Sequence, residues 1–238
     1  MSDAEPTNTC KSCGFSGAGD YCSHCGQPYK IKRITFSSLL HDVLHLFTHL
    51  DKGFLFTLKQ LIVAPGHMQR KYLEGGRVRY QKPFSMFFIC VTLVAVSRYW
   101  ILKSLYNNYS AADIPELNFV HEYMVVLYIS LMPVYTLIAW LLYYRSGYNY
   151  AEMGVLQLYT ISFLFLISGL IFLLKFIWPY LDTAYVEFPV FAVYLTITQM
   201  NFFKRFSRRE VLLKSLIAIT IVFFLNQIAE NFVVRLIS

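Results

Sequence analysis

The chain has 238 residues, of which 56% are hydrophobic, 18% aromatic and only 15% charged, with a formal net charge of +7. A soluble domain carries roughly 25% charge, so this composition leaves too little polar surface for a water-facing globule and excludes an ordinary soluble fold. The basic excess does not imply nucleic acid, because it gathers in Lys30 to Lys82 and Lys204 to Lys214 beside apolar runs, as a juxtamembrane bias requires.

Residues Met1 to Thr9 are polar. The first 35 residues contain no apolar h-region, so no cleavable signal is expected and the first span must direct its own insertion. CKSCGFSGAGDYCSHCGQ follows, with Cys10, Cys13, Cys22 and Cys25 forming two CxxC pairs separated by eight residues. Each pair suits a tight knuckle, relieved by Gly14 and Gly26, and four thiolates complete a closed tetrahedral site for one structural Zn2+. So short a ribbon has almost no apolar core, which makes metal binding its source of folding energy. Two disulfides, or a rubredoxin-like iron centre, are the competing readings. His24 is expected to face solvent, since four cysteines already fill the set. Free thiolates and the adjacent basic excess both place this end on the reducing, cytoplasmic side.

From Ile34 an amphipathic helix is predicted. Phe36, Leu39, Leu40, Val43, Phe47 and Leu50 recur at three- and four-residue spacing, and Thr35 is the expected N-cap. On its polar side His41, His45 and His49 stand four residues apart, with Asp42 and Asp51 nearby. Imidazoles at that spacing share a face and define a candidate second metal or polar site, against the plainer reading of a wet interfacial face. No HExxH is present. Gly53 to Ala64 is a short apolar segment stopped by Pro65-Gly66, too short to span and expected to be re-entrant or interfacial. Arg70, Lys71, Arg77, Arg79 and Lys82 then interleave with Tyr72 and Tyr80 around a Gly75-Gly76 turn. Basics and aromatics before a span form an anchor to anionic lipid, and the same cations are candidate anion contacts, together with Lys204, Arg205, Arg208 and Arg209.

Five apolar runs follow, at about 84–102, 122–143, 153–175, 186–203 and 211–233. Arg98 lies near the far end of the first, and Pro133 is expected to kink the second. With the N-terminus inside, Arg145 and KRFSRR fall on inner loops, while Lys103 with Asp113 and Glu116, then Asp182 with Glu187, fall on outer ones. The basic bias thus alternates as the positive-inside rule demands and places the C-terminus outside. The fold class is an all-α integral membrane bundle of about five transmembrane helices with a zinc-ribbon knuckle. Its parts are a head (1–29), a cytoplasmic amphipathic and basic segment (30–82) and a spanning domain (83–238).

Few ionisable groups lie inside the spans. Glu152, Lys175 and Glu210 lie near span ends, where charge costs little. Asn226 and Glu230 share a face of the last span and, with Gln199 and Asn201, are read as helix-to-helix contacts. No paired carboxylates, Ser/His/Asp set or phosphate loop appears, so the sequence supports no enzyme.

The run CKSCG…YCSHCGQ, then RITF, FTHLDKGFLFTLKQLIVAPG and RKYLEGGRVRYQKPFSMF, resembles the bacterial DUF3667 family over about Cys10 to Phe87. The resemblance implies a zinc-ribbon-like head, this linker, a multi-span tail and a bacterial inner-membrane location, but no activity. The spans are also similar, in number and in their PG-then-basic entry, to Yip1-type membrane domains. Two functions follow. One is a scaffold, sensor or adaptor that binds a cytosolic protein partner through the ribbon. The alternative is a small transporter, channel or lipid-handling protein, with a membrane enzyme behind both. Five helices are few to enclose a pathway, so a homo-oligomer is compatible with each of these readings.

Overall fold

Left-handed glycines close both knuckles of the head. Gly14 (φ 80°) and Gly26 (φ 73°) return their N–H groups to the carbonyls of Cys10 and Cys22, at 2.8 Å each, in a backbone region that disfavours side-chain-bearing residues. The computed structural model describes residues 8–39, 53–106 and 130–237. Strands β1 (Asn8–Thr9) and β2 (Ser16–Gly17) pair antiparallel, with Thr9 opposite Ser16. Thr35 and Ser38 then cap a helix that begins at residue 36: Ser38 N donates to Thr35 Oγ1 and Thr35 N to Ser38 Oγ. His41, His45 and His49, with Asp42 and Asp51, lie outside the described residues, as do Asp113, Glu116 and the first part of the second predicted span.

Helix α1 (Phe54–Val63) has 10 residues, about 15 Å long and too short to cross a bilayer. It stops at Ala64-Pro65-Gly66, and α2 (His67–Leu73) follows. Helices α3 (Pro83–Tyr106), α4 (Met132–Leu142), α5 (Tyr150–Phe172), α6 (Ala184–Phe202) and α7 (Arg208–Ile237) complete the body. Pro133 stands in the first turn of α4, where its missing N–H has no helical partner to lose. Among the described residues three helices are long and apolar enough to cross a membrane: Pro83–Leu105, Tyr150–Phe176 and Arg208–Ala229. The 19-residue α6 is not among them; Glu187, Gln199 and Asn201 make it more polar.

Helix α5 is the axis. Its membrane-length window is 56% buried, against 33% for α3 and 17% for α7, and a helix apolar all round belongs inside a bundle. Its hydroxyls bond their own helix, Thr160 to the Leu156 carbonyl at 2.7 Å and Ser162 to that of Leu158 at 2.5 Å, as they must where no water reaches.

Side-chain register gives each helix its direction. Met86 and Cys90 of α3 share a core with Val155 and Tyr159 of α5, whereas Ile101 and Leu105 meet Phe172. Helices α3 and α5 are therefore parallel, and both start at the head. Helix α6 runs the other way: Phe163 packs at a tilt on Tyr194 with ring centroids 4.7 Å apart, and Ser168 donates to Glu187 at 3.0 Å. Helix α7 turns again, since Ser215 donates to Gln199 at 2.8 Å and Phe188 packs on Phe223 at 5.3 Å. Helix α4 descends beside α7, with Tyr143 donating to the Val211 carbonyl at 3.2 Å and Tyr135 donating to Asn226.

Two of the three charges expected at cheap span ends are buried. Glu152 is enclosed at the start of α5. Lys175 is folded inward by the 3-10 turn Leu173–Phe176, where it donates to the Pro179 carbonyl at 3.4 Å beside the Phe172 ring. Glu210 is exposed and pairs with Lys214 at 2.9 Å. Arg98 lies over the Phe172 ring at 4.4 Å.

Backbone meets backbone closely at Gly66 (φ 79°), where a Cβ would come within 2.2 Å of the Thr198 carbonyl oxygen. Gly66→Ala is expected to lower the thermal unfolding midpoint of the purified protein, at a cost of about 2 kcal/mol or more from strain and clash. Gly154→Ala, whose Cβ meets only Thr136 at 3.9 Å, should not lower the midpoint and should leave the stability unchanged or raise it by up to about 1 kcal/mol.

Candidate metal centre

The two knuckles face each other across the ribbon. Cys10 Sγ lies 3.5 Å from Cys25 Sγ, Cys13 Sγ lies 3.6 Å from Cys22 Sγ, and all four sulfurs fall within 4.8 Å of one another. A disulfide needs about 2.05 Å between sulfurs, and all the cysteines are free. A tetrahedron of thiolates around a metal at about 2.3 Å has edges of about 3.8 Å. The donor set therefore fits a metal ion, which Cys10, Cys13, Cys22 and Cys25 would hold.

The surroundings split the thiols. Backbone N–H groups, that of Cys13 foremost, pull Cys10 down to about 6, whereas burial pushes Cys25 up to about 12. Burial opposes ionisation of Cys22 as well, but the amides of His24 and Cys25 outweigh it and lower its pKa. A divalent cation supplies the charge that lets four thiolates coexist. His24 is exposed and stacks on Phe15 at 6.0 Å, away from the ligand set.

The head is seated on the helices rather than tethered beside them. Gln27 is buried, and its Oε1 accepts the backbone N–H groups of Arg77 and Val78, both at 3.2 Å. Gly75 and Gly76 leave the space that Ile31 and the Lys11 carbonyl occupy; a Cβ on Gly75 would lie 2.1 Å from Ile31 Cδ1. Arg77 donates to the Lys32 carbonyl at 3.0 Å. The strap then reaches α5. Arg33 forks onto both carboxylate oxygens of Glu152 at 2.8 Å each and also donates to the Gly147 carbonyl, and Asn149 Nδ2 donates to the Ile34 carbonyl at 3.0 Å. Asn149 and Glu152 form a capping box at the start of α5, with reciprocal bonds of 2.8 Å. Ile34 and Leu39 end the strap inside the core that holds Leu61, Met68, Tyr72 and Tyr159.

The predicted basic residues separate into three groups. Arg77 is tied to carbonyls in the seat, whereas Lys71, Arg79, Lys82, Arg208 and Arg209 are exposed. Arg70, Lys204 and Arg205 converge on a cleft beside α2. Arg70 is held there by the Asn201 carbonyl at 3.2 Å, His67 Nδ1 at 3.2 Å and Glu74 at 3.5 Å. Burial, then the charges of Arg70 and Lys204, lower the His67 pKa. Within the bundle, Gln199 accepts from Tyr143 and Ser215, Asn201 donates to the Pro65 carbonyl at 2.9 Å, and Asn226 accepts from Tyr135. The Glu230 side chain lies outside the described residues.

Residues 51–94 match the model of a family described as a protein of unknown function, DUF3667, the family that the sequence resembles. The matched stretch contains α1, α2, the Gly75-Gly76 seat and the first half of α3, but none of the four head cysteines. No curated protein and no solved structure matches the chain.

Elemental analysis of the purified full-length protein is expected to give one metal ion per chain, and none after all four head cysteines are changed to Ser. Metal retained by that variant would place a site elsewhere.

Proposed function

We propose that the protein is an integral membrane adaptor whose zinc-stabilised head binds a soluble protein partner on the cytoplasmic side. The observation that carries this reading is the seating of the head. One side of it is committed to Gln27, Ile31 and the strap, while Phe15 (45% exposed), Tyr21 (66%) and His24 remain open to solvent. Exposed aromatics on a rigid, metal-closed module are suited to partner recognition, since aromatic side chains dominate binding hot spots. Zinc fits a four-thiolate set on a reducing side.

We place five crossings behind that head. Helices α3, α5 and α7 all leave the head side, so the chain must return twice between them, and α4 and α6 run in the returning direction. Arg145, Lys204, Arg205, Arg208 and Arg209 then share the head side, in keeping with the positive-inside bias. The intramembrane polar groups Tyr143, Gln199 and Ser215 bond one another, and Asn226 bonds Tyr135. Polar groups so paired tie helices together, which supports an adaptor over a transport path.

A photocrosslinking residue at Phe15 or Tyr21 in the full-length protein, in its native membrane, tests this. One discrete protein adduct is expected, lost in the four-Cys-to-Ser variant while membrane insertion persists. Adducts to lipid alone, or an adduct unchanged by loss of the cysteines, would contradict the adaptor reading.

A further inference from the structure

Arg70 on α2 and Lys204 and Arg205 in the turn between α6 and α7 are far apart in sequence, yet they line one cleft of about 360 Å³. Glu74 is the one carboxylate on its wall, and it is paired with Arg70 at 3.5 Å. Lys204 and Arg205 are exposed and have no acidic partner among the described residues. Three cations facing one volume repel one another, and a fold that holds them together gains from an anion between them.

The rest of the lining is suited to an oxyanion with an organic tail. Ser146 and Tyr148 add hydroxyls to the lining, and Phe202 and Phe203 add buried aromatic surface to it. Arg70 is fixed in place, because its guanidinium also holds the Asn201 carbonyl and His67 Nδ1. The cleft sits where α6 ends and α7 begins, at the head-side end of the membrane-length helices. Phospholipid headgroups lie at that level if the helices cross a bilayer.

We infer that this cleft binds a phosphate group, with Arg70, Lys204 and Arg205 as its cationic ligands and Ser146 and Tyr148 as hydroxyl donors. The phosphate comes either from an anionic phospholipid at the membrane surface or from a soluble phosphate compound. A phosphate is matched by guanidinium and ammonium donors together, and the aromatic surface would receive the glycerol end of a lipid.

The test uses native mass spectrometry of the full-length protein in detergent, titrated with phosphatidylglycerol, with phosphatidylcholine and with inorganic phosphate. Phosphatidylglycerol is expected to bind more tightly than phosphatidylcholine, and Lys204→Gln/Arg205→Gln to weaken it by about tenfold or more. These two side chains are exposed, so the double variant should fold. Arg208→Gln/Arg209→Gln, which removes equal charge outside the cleft, should change the affinity less than about twofold. Displacement of the lipid by millimolar inorganic phosphate would assign the site to soluble phosphates, and no displacement would assign it to lipid. Equal loss in both double variants, or no loss in the first, would overturn the inference, because binding would then follow diffuse surface charge or none.

Discussion

A carboxylate enclosed at the start of the most buried helix demands a counter-charge, and in this chain that demand shapes everything on the head side. Glu152 caps α5 through Asn149, but one backbone bond cannot compensate a buried charge. Arg33, from 119 residues earlier, supplies the rest in a two-pronged contact. The cost of leaving Glu152 alone is thus converted into a fixed path for residues 27–39. Arg33 itself is 59% exposed, so solvent screens the pair and its net stabilisation is modest. Its consequence is mainly geometric, because it decides where the strap and the head lie.

The other contacts follow from that path. With Arg33 anchored, Ile34 and Leu39 are delivered to the core formed by α1, α2 and α5, and Gln27 is brought over the Arg77 and Val78 amides. The Gly75-Gly76 turn has to be bare for Ile31 and Lys11 to approach. Gly66 in the Pro65-Gly66 turn has to lack a side chain for α6 to approach, which fixes Arg70 next to Lys204 and Arg205. The family match over residues 51–94 contains both of these turns. One platform of short helices therefore seats the metal centre on one side and walls the cationic cleft on another.

Much of this was legible in the sequence, for identifiable reasons. Long apolar runs announce helices directly, so α3, α5 and α7 lie close to their predicted limits, and the short helix α1 stops at Pro65-Gly66 as its turn chemistry requires. Paired CxxC spacing likewise forecast the sulfur cluster. Helix α6 was harder to read because Glu187, Gln199 and Asn201 dilute its apolar signal. The seating contacts had almost no local signature. Asn149 and Glu152 do stand at capping-box spacing, but nothing near Gln27 or Arg33 reports partners 50 and 119 residues away. Glu152 and Lys175 do stand near the ends of α5, but their burial has no local signal for the same reason: distance from a span end measures membrane depth, whereas their burial comes from protein packed around them.

The head is fixed to the bundle through Gln27, and amide hydrogen exchange at Arg77 and Val78 reports on that contact. The Val78 amide donates to the Gln27 side chain, and the Arg77 amide is shared between Gln27 and the Gly75 carbonyl at 3.0 Å. In the metal-loaded full-length protein in a lipid disc they should exchange slowly. They should exchange about tenfold faster or more in Gln27→Ala, and again after metal removal. Equal exchange in all three states would mean that the head hangs free of the helices, and the account of the seat would be wrong.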